Sequence, residues 1–170
     1  MPLRYILALL ILTLLLFACS SEKSKRITTG DAIPSFTATD INDQTVSLDA
    51  YKDHPVVMRF FLVDCKFCTA DTPAFNNFYE KHKSQGVKVV YINNDAPDLA
   101  TVRSFVEKLA IPFPVIYNKE GNIAAQYNIK VQPLTLLLDS EHRLLSALLG
   151  GVSEAELENI MAPHLTTSPK

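Results

Sequence analysis

Two of the three cysteines in this 170-residue chain stand together as Cys65-Lys66-Phe67-Cys68. A thiolate is both a nucleophile and a metal ligand, so a pair at this spacing has three possible uses. It can exchange with a disulfide, close as a structural bridge, or supply half of a zinc site. Zinc needs two more ligands, yet no second cysteine pair exists and His54, His82, His142 and His164 are scattered. A bridge across two intervening residues closes too small a loop to remove much chain entropy. Exchange is the use these residues favour, with the other two left open.

The pair has to be positioned, and the flanking residues say how. The apolar run from Val56 to Val63 predicts a buried strand that ends at the motif. From Thr69 to Gln85, Phe75, Phe78, Tyr79 and His82 recur at three- and four-residue spacing, which predicts a helix. Cys65 then falls at the helix N-terminus and Cys68 one turn further in. Unpaired N–H groups and the helix dipole favour an anion there, lowering a thiol below its usual pKa of about 8.5. Cys65 is therefore expected to attack and Cys68 to resolve the mixed disulfide.

The ends of the chain set its context. Arg4 precedes an apolar run from Ile6 to Ala18, too short for a transmembrane helix and suited to a signal peptide. That run closes on Leu16-Phe17-Ala18-Cys19, which resembles the lipobox of bacterial lipoproteins. The resemblance implies a signal peptide over 1–18, a lipid on Cys19, a polar tether over 19–29 and one domain over 30–166. Ser20 after the lipidated Cys is compatible with sorting to the outer membrane of a Gram-negative host. With Cys19 so used, Cys65 and Cys68 remain for chemistry. The net charge is −2 with no basic run, so nucleic acid is not an expected partner.

Along the domain, Phe36–Thr39 and Thr45–Leu48 predict two short strands, and Leu48–Tyr51 a helical turn. Gly86 suits a left-handed helix C-cap, Val87–Ile92 a second buried strand, and Asp98 the cap of a helix through Leu109. Pro112–Tyr117 is a short segment between prolines, and Gly121–Tyr127 a short helix. Leu134–Asp139 and Leu144–Leu149 predict a hairpin, followed by a helix whose capping box is Ser153 with Glu156. Two strands, then β-α-β-α-β, then a hairpin and a helix argue an α/β fold with a mixed central sheet. A site belongs at the carboxyl ends of its parallel strands, where Cys65 falls.

This pattern resembles the thioredoxin fold, and more closely the membrane-tethered TlpA/ResA-like branch related to the AhpC/TSA redoxins. Phe36-Thr37-Ala38-Thr39-Asp40, Thr45-Val46-Ser47-Leu48 and Tyr51-Lys52 resemble the N-terminal β extension of that branch. Asp64 to Cys68 with Thr72-Pro73-Ala74 resembles its active-site strand and helix. Tyr127-Asn128-Ile129 with Gln132-Pro133-Leu134-Thr135 resembles the segment carrying its cis-proline. The resemblance implies a thioredoxin-like three-layer α/β/α sandwich. It also implies a cis Gln132–Pro133 bond packed against the cysteines, with neighbouring backbone that pairs with an extended substrate. Pro73 matches a proline that kinks the active-site helix.

Two positions depart from the branch. Asp64 stands where Trp is usual before the first Cys, and Arg59 where Asp or Asn is frequent six residues before it. Asp64 beside a thiolate would raise its pKa, and Lys66 would lower it. Arg59 cannot shuttle protons. Its expected roles are pairing with Asp64, stabilising a thiolate, or reaching solvent along a covered stem.

The expected activity is that of an extracytoplasmic thiol–disulfide oxidoreductase with no cofactor beyond the Cys65–Cys68 disulfide and no metal. Its partners would be exported protein thiols and disulfides, as in cytochrome c or cuproprotein maturation, and a membrane electron donor or acceptor. A peroxidase is disfavoured because no Pro-x-x-x-Thr-x-x-Cys setting precedes either cysteine. A copper chaperone on the same fold would need a histidine, for which His142 in a turn is the one candidate.

Overall fold

The computed structural model describes residues 27–165. The signal peptide, Cys19, Ser20 and most of the tether expected from the sequence lie outside them. A small antiparallel pair comes first, β1 (Thr37–Thr39) and β2 (Thr45–Ser47), followed by a 3-10 turn at Asp49–Tyr51. The main sheet is built from β3 (Val56–Phe61), β4 (Lys88–Asn93), β5 (Val115–Tyr117), β6 (Leu134–Leu138) and β7 (Leu144–Leu149). The spatial order is β5-β4-β3-β6-β7, with β3, β4 and β5 parallel and β6 and β7 antiparallel.

Among the described residues four α-helices accompany the sheet: α1 (Lys66–His82), α2 (Leu99–Lys108), α3 (Asn122–Gln126) and α4 (Glu154–Met161). The chain steps from β3 to β4 to β5 in one direction, so right-handed crossovers place α1 and α2 on the same face. Val57, Phe61, Val89, Tyr91 and Leu137 bury that face against Phe75 and Phe78 of α1, Val102 and Phe105 of α2, and Leu157 and Met161 of α4. Alternation of the strands sends Val56, Met58, Phe60, Val90, Ile92 and Leu136 to the opposite face. There the cover is α3 with the N-terminal residues Ile33, Phe36, Val46 and Leu48. The sandwich is α/β/α, with the N-terminal extension making much of its second outer layer.

Two boundaries differ from the sequence expectation, and both matter for the site. β3 stops at Phe61 rather than Val63, and α1 starts at Lys66 rather than Thr69. The apolar run overstates the strand because Leu62 and Val63 are half-buried in the turn that leads into the helix. Helix geometry begins as soon as the N-cap is satisfied, and Cys65 satisfies it. Gly86 ends the following 3-10 turn at φ 89°, a backbone conformation glycine adopts without penalty. Asp98 caps α2 through Thr101 N, and Ser153 with Glu156 forms the capping box of α4.

Candidate active site

β3 delivers the chain to the carboxyl edge of the sheet, and the register brings three other segments to the same edge. Phe60 pairs with Leu134, so the Gln132–Pro133 bond, which is cis, precedes β6 at the end of β3 nearest the cysteines. Leu134 pairs with Leu149, which places Gly150–Val152 there too. The loop after Asn93 is the fourth segment, because Phe61 pairs with Asn93. Gln132 Nε2 donates to Asn94 Oδ1 at 2.8 Å, joining two of these loops. Asn93, wholly buried, ties its own loop back by donating to Phe61 O at 3.1 Å and accepting from Ala96 N.

Cys65 is the N-cap of α1, half-buried, in extended backbone geometry. Its Sγ accepts from Cys68 N at 3.4 Å, the contact a capping oxygen would make. Cys68 sits in the first turn and is buried, and both cysteines are free. Burial pushes the Cys68 thiol up to about 12, with hydrogen bonding to Cys65 acting in the same direction. A backbone hydrogen bond at Leu62 and, less, the charge of Arg59 pull the other way. The two sulfurs are thus unequal: one reaches solvent at a helix end, the other is held as a neutral thiol beneath it.

The floor of the site is an ion pair. Arg59 is fully buried, and its Nη2 donates to Asp71 Oδ2 at 2.5 Å. Its Nη1 donates to Thr135 Oγ1 at 2.7 Å and to Gly150 O at 3.2 Å, and the guanidinium lies 4.9 Å from the centre of the Phe75 ring. Asp71 Oδ2 also accepts from Val152 N at 3.0 Å. One cation and one anion therefore fasten β3, α1, β6 and the segment after β7 directly under the cysteines. Burial raises the Asp71 carboxyl, against the opposing pull of Arg59. Thr72 Oγ1 donates to Cys68 O at 2.6 Å and lies 3.4 Å from the Tyr91 hydroxyl, whose own pKa is raised by burial.

The partner of Arg59 is a correction to the sequence reading. Arg59 neither meets Asp64 nor reaches solvent, because strand alternation aims it with Val57 and Phe61 under α1. Asp64 is exposed in the turn before the cap, and Lys66 is exposed with its Nζ 5.7 Å from the centre of the Phe67 ring. Asp71 and Thr135 were not anticipated. A signal for Asp71 existed: an arginine inside an otherwise apolar strand needs a buried anion. Asp71 follows Cys68 by three residues, on the helix face that carries Thr72 and Phe75 inward.

His142 is corrected as well. It lies in the β6–β7 turn, beside the end of β3 that starts at Val56, across the length of the sheet from Cys65. It is buried there, with Nε2 3.1 Å from Tyr51 O. Among the described residues, no group of three or more His, Cys, Asp or Glu is placed to hold a metal ion.

The AhpC/TSA family model matches residues 29–147. The chain belongs to the AhpC/TSA family. It is 28% identical over 140 residues to the thiol-disulfide oxidoreductase ResA of Bacillus cereus, covering 82% of this chain and 80% of that one. ResA of Geobacillus thermodenitrificans is 23% identical over 158 residues, covering 91% and 90%. Among solved structures, a thiol:disulfide interchange protein DsbE from Chlorobium tepidum superposes with a TM-score of 0.75 at 24% identity, covering 81% of this chain and 98% of that one. A secreted Mycobacterium tuberculosis disulfide oxidoreductase gives 0.69 at 25% identity, covering 75% and 95%. The chain is a thioredoxin-fold oxidoreductase of the TlpA/ResA-like, thiol–disulfide type.

Proposed function

We propose that the protein works outside the cytoplasm, held to a bacterial membrane by a lipid on Cys19, and exchanges disulfides with exported proteins. The observation that carries the exchange is the inequality of the two cysteines. Cys65 Sγ attacks a sulfur of the partner disulfide, and the partner's other sulfur leaves as a thiolate and takes up a proton. The product is a mixed disulfide through Cys65. Cys68 then gives up its proton, attacks Cys65 Sγ and expels the second partner sulfur. The partner leaves as a dithiol, and the Cys65–Cys68 pair, now a disulfide, has given it two electrons and two protons. Asp71, three residues along α1, is the ionisable side chain on the face of Cys68 to which that proton can pass.

The cis Gln132–Pro133 segment offers backbone beside the pair for an extended partner strand. We assign Gln132 and Pro133 to partner binding, and Asp64 and Lys66 to the exposed rim where partner charge is felt. Reduction of the partner, in cytochrome c or cuproprotein maturation, is the direction we favour, on the resemblance of the Cys65–Cys68 and Gln132–Pro133 segments to the TlpA/ResA-like branch. It requires a membrane electron donor to regenerate the dithiol. The deciding experiment is trapping. Cys68→Ser should accumulate mixed disulfides with exported proteins and Cys65→Ser should accumulate none. Insulin reduction at the wild-type rate by Cys65→Ser would refute the mechanism.

A further inference from the structure

We propose that the apolar groove on the face of β6 and β7 turned away from α1 is a second binding site for the protein partner. Its occupant is an extended stretch of apolar residues with one acidic side chain, close in sequence to the partner's reactive cysteine. This rests on the thiol–disulfide reading above and deepens it, from where exchange occurs to which exported proteins are selected.

The groove has a volume of about 610 Å³, and its floor is the sheet. Leu134 pairs with Leu149 and Leu136 with Ala147, so these four side chains stand on one face. Leu144 and Ile27 continue the floor, and residues 127–131, between α3 and β6, line its side. It stays open to solvent. Val131 is 58% exposed and Leu149 62%, and the only other exposed large apolar side chains among the described residues are Phe67 and Leu99. Apolar residues scattered singly on a surface are ordinary, but a contiguous set lining a concavity marks a binding site.

Position selects the occupant. Val131 immediately precedes Gln132–Pro133, and Gly150, next after Leu149, donates its N–H to Pro133 O at 2.9 Å. The groove therefore opens beside the cis-proline segment, whose backbone is offered to an extended partner strand. Extended chain advances about 3.4 Å per residue, so about five partner residues span the floor from Leu149 to Leu144. This chain has no suitable occupant of its own. Ser20–Arg26, which leads into Ile27, contains no apolar residue, and the apolar run Ile6–Ala18 belongs to the expected signal peptide. Charge adds the acidic side chain. Lys130 lines the groove, is exposed and joins none of the ion pairs among the described residues, so it is free to meet a carboxylate.

The experiment uses the full chain, reconstituted in phosphatidylcholine vesicles and reduced, with synthetic peptides whose single cysteine is in a mixed disulfide with glutathione. Exchange releases the peptide thiol and glutathione and leaves the Cys65–Cys68 disulfide. Three peptides are compared. One carries leucines and a glutamate in the residues before its cysteine, one carries them after it, and one has serines on both sides. One of the two leucine peptides should exchange about tenfold faster than the serine peptide, in single-turnover rate constants. Ala147→Glu should bring that ratio to within about twofold of unity, since it puts a charge on the apolar floor and repels the glutamate. Lys130→Glu should lower the ratio about threefold, and lysine in place of the peptide's glutamate should restore it. If Ala147→Glu does not fold, the charge swap at Lys130 decides alone. Equal rates for all three peptides, or a ratio unchanged by the variants, would overturn the groove and leave the exchange reading intact. A lysine crosslinker that joins copies of the wild type but not of Ala147→Glu would assign the groove to a second copy and overturn the proposal equally. A wild type that exchanges with none of the peptides would overturn both.

Discussion

Cys68 N–H points at Cys65 Sγ, 3.4 Å away, so the first cysteine caps the helix that buries the second. One turn of helix thereby makes two chemically different thiols from the same residue type. The capping sulfur receives the positive end of the helix dipole, and the other loses contact with water.

Alkylation should read that difference directly. In the reduced protein at about pH 8, iodoacetamide should label Cys65 and leave Cys68 unlabelled by peptide mass spectrometry. Because burial holds the Cys68 thiol near 12, its thiolate fraction grows about tenfold per pH unit below that value. Labelling of Cys68 should become appreciable only at strongly alkaline pH. Equal labelling of both residues at pH 8 would contradict the geometry.

The ion pair under the site predicts an asymmetry in stability. Asp71→Asn strands a buried guanidinium that cannot deprotonate, at a cost of about 3–5 kcal/mol. Arg59→Met strands a carboxyl that can take up a proton, so it should cost distinctly less. Urea denaturation of the two variants checks the order, and a larger loss in Arg59→Met would argue against it.

Where α1 meets α4, Glu158 Oε1 accepts from Lys81 Nζ at 2.7 Å and lies 2.8 Å from His82 Nε2. Burial alone would raise the Glu158 carboxyl, but the hydrogen bonds from Lys81 and His82 carry it below its ordinary value. A carboxyl depressed in the folded state contributes stability above its unfolded pKa and loses it as pH falls through the folded one. Glu158→Gln should therefore lower the melting temperature at neutral pH and narrow its gap to wild type in acid. A constant gap from pH 7 down to about pH 3 would exclude this clamp.

Gln132 joins the cis-proline loop to the loop after β4 through Asn94. Gln132→Ala should free both loops and weaken productive docking of a protein partner. The expected result is a raised KM for a protein disulfide, with exchange against glutathione little changed. An equal effect on both substrates would place Gln132 in the thiol chemistry instead.

Much of this protein is legible in its residues alone. The Cys65-x-x-Cys68 spacing, the strand that ends at it and the helix that follows are local patterns, and local patterns survive in one dimension. So do the caps at Asp98 and Ser153 and the left-handed Gly86, each a matter of a few adjacent residues. The cis Gln132–Pro133 bond was legible only by resemblance, since no local rule at this site demands it.

What tertiary structure decided is who meets whom across the sheet. Asp64 is only five residues from Arg59 in sequence, but strand alternation commits Arg59 to the face covered by α1, where it meets Asp71. Thr135, 76 residues away, reaches Arg59 only because β6 pairs antiparallel with β3. His142 is ruled out of the site by that same register, which carries its turn to the far end of the sheet. Residue types and spacing determine which chemistry is available. Register and packing determine which charges surround it, because a side chain's neighbours in a sheet come from strands distant in sequence.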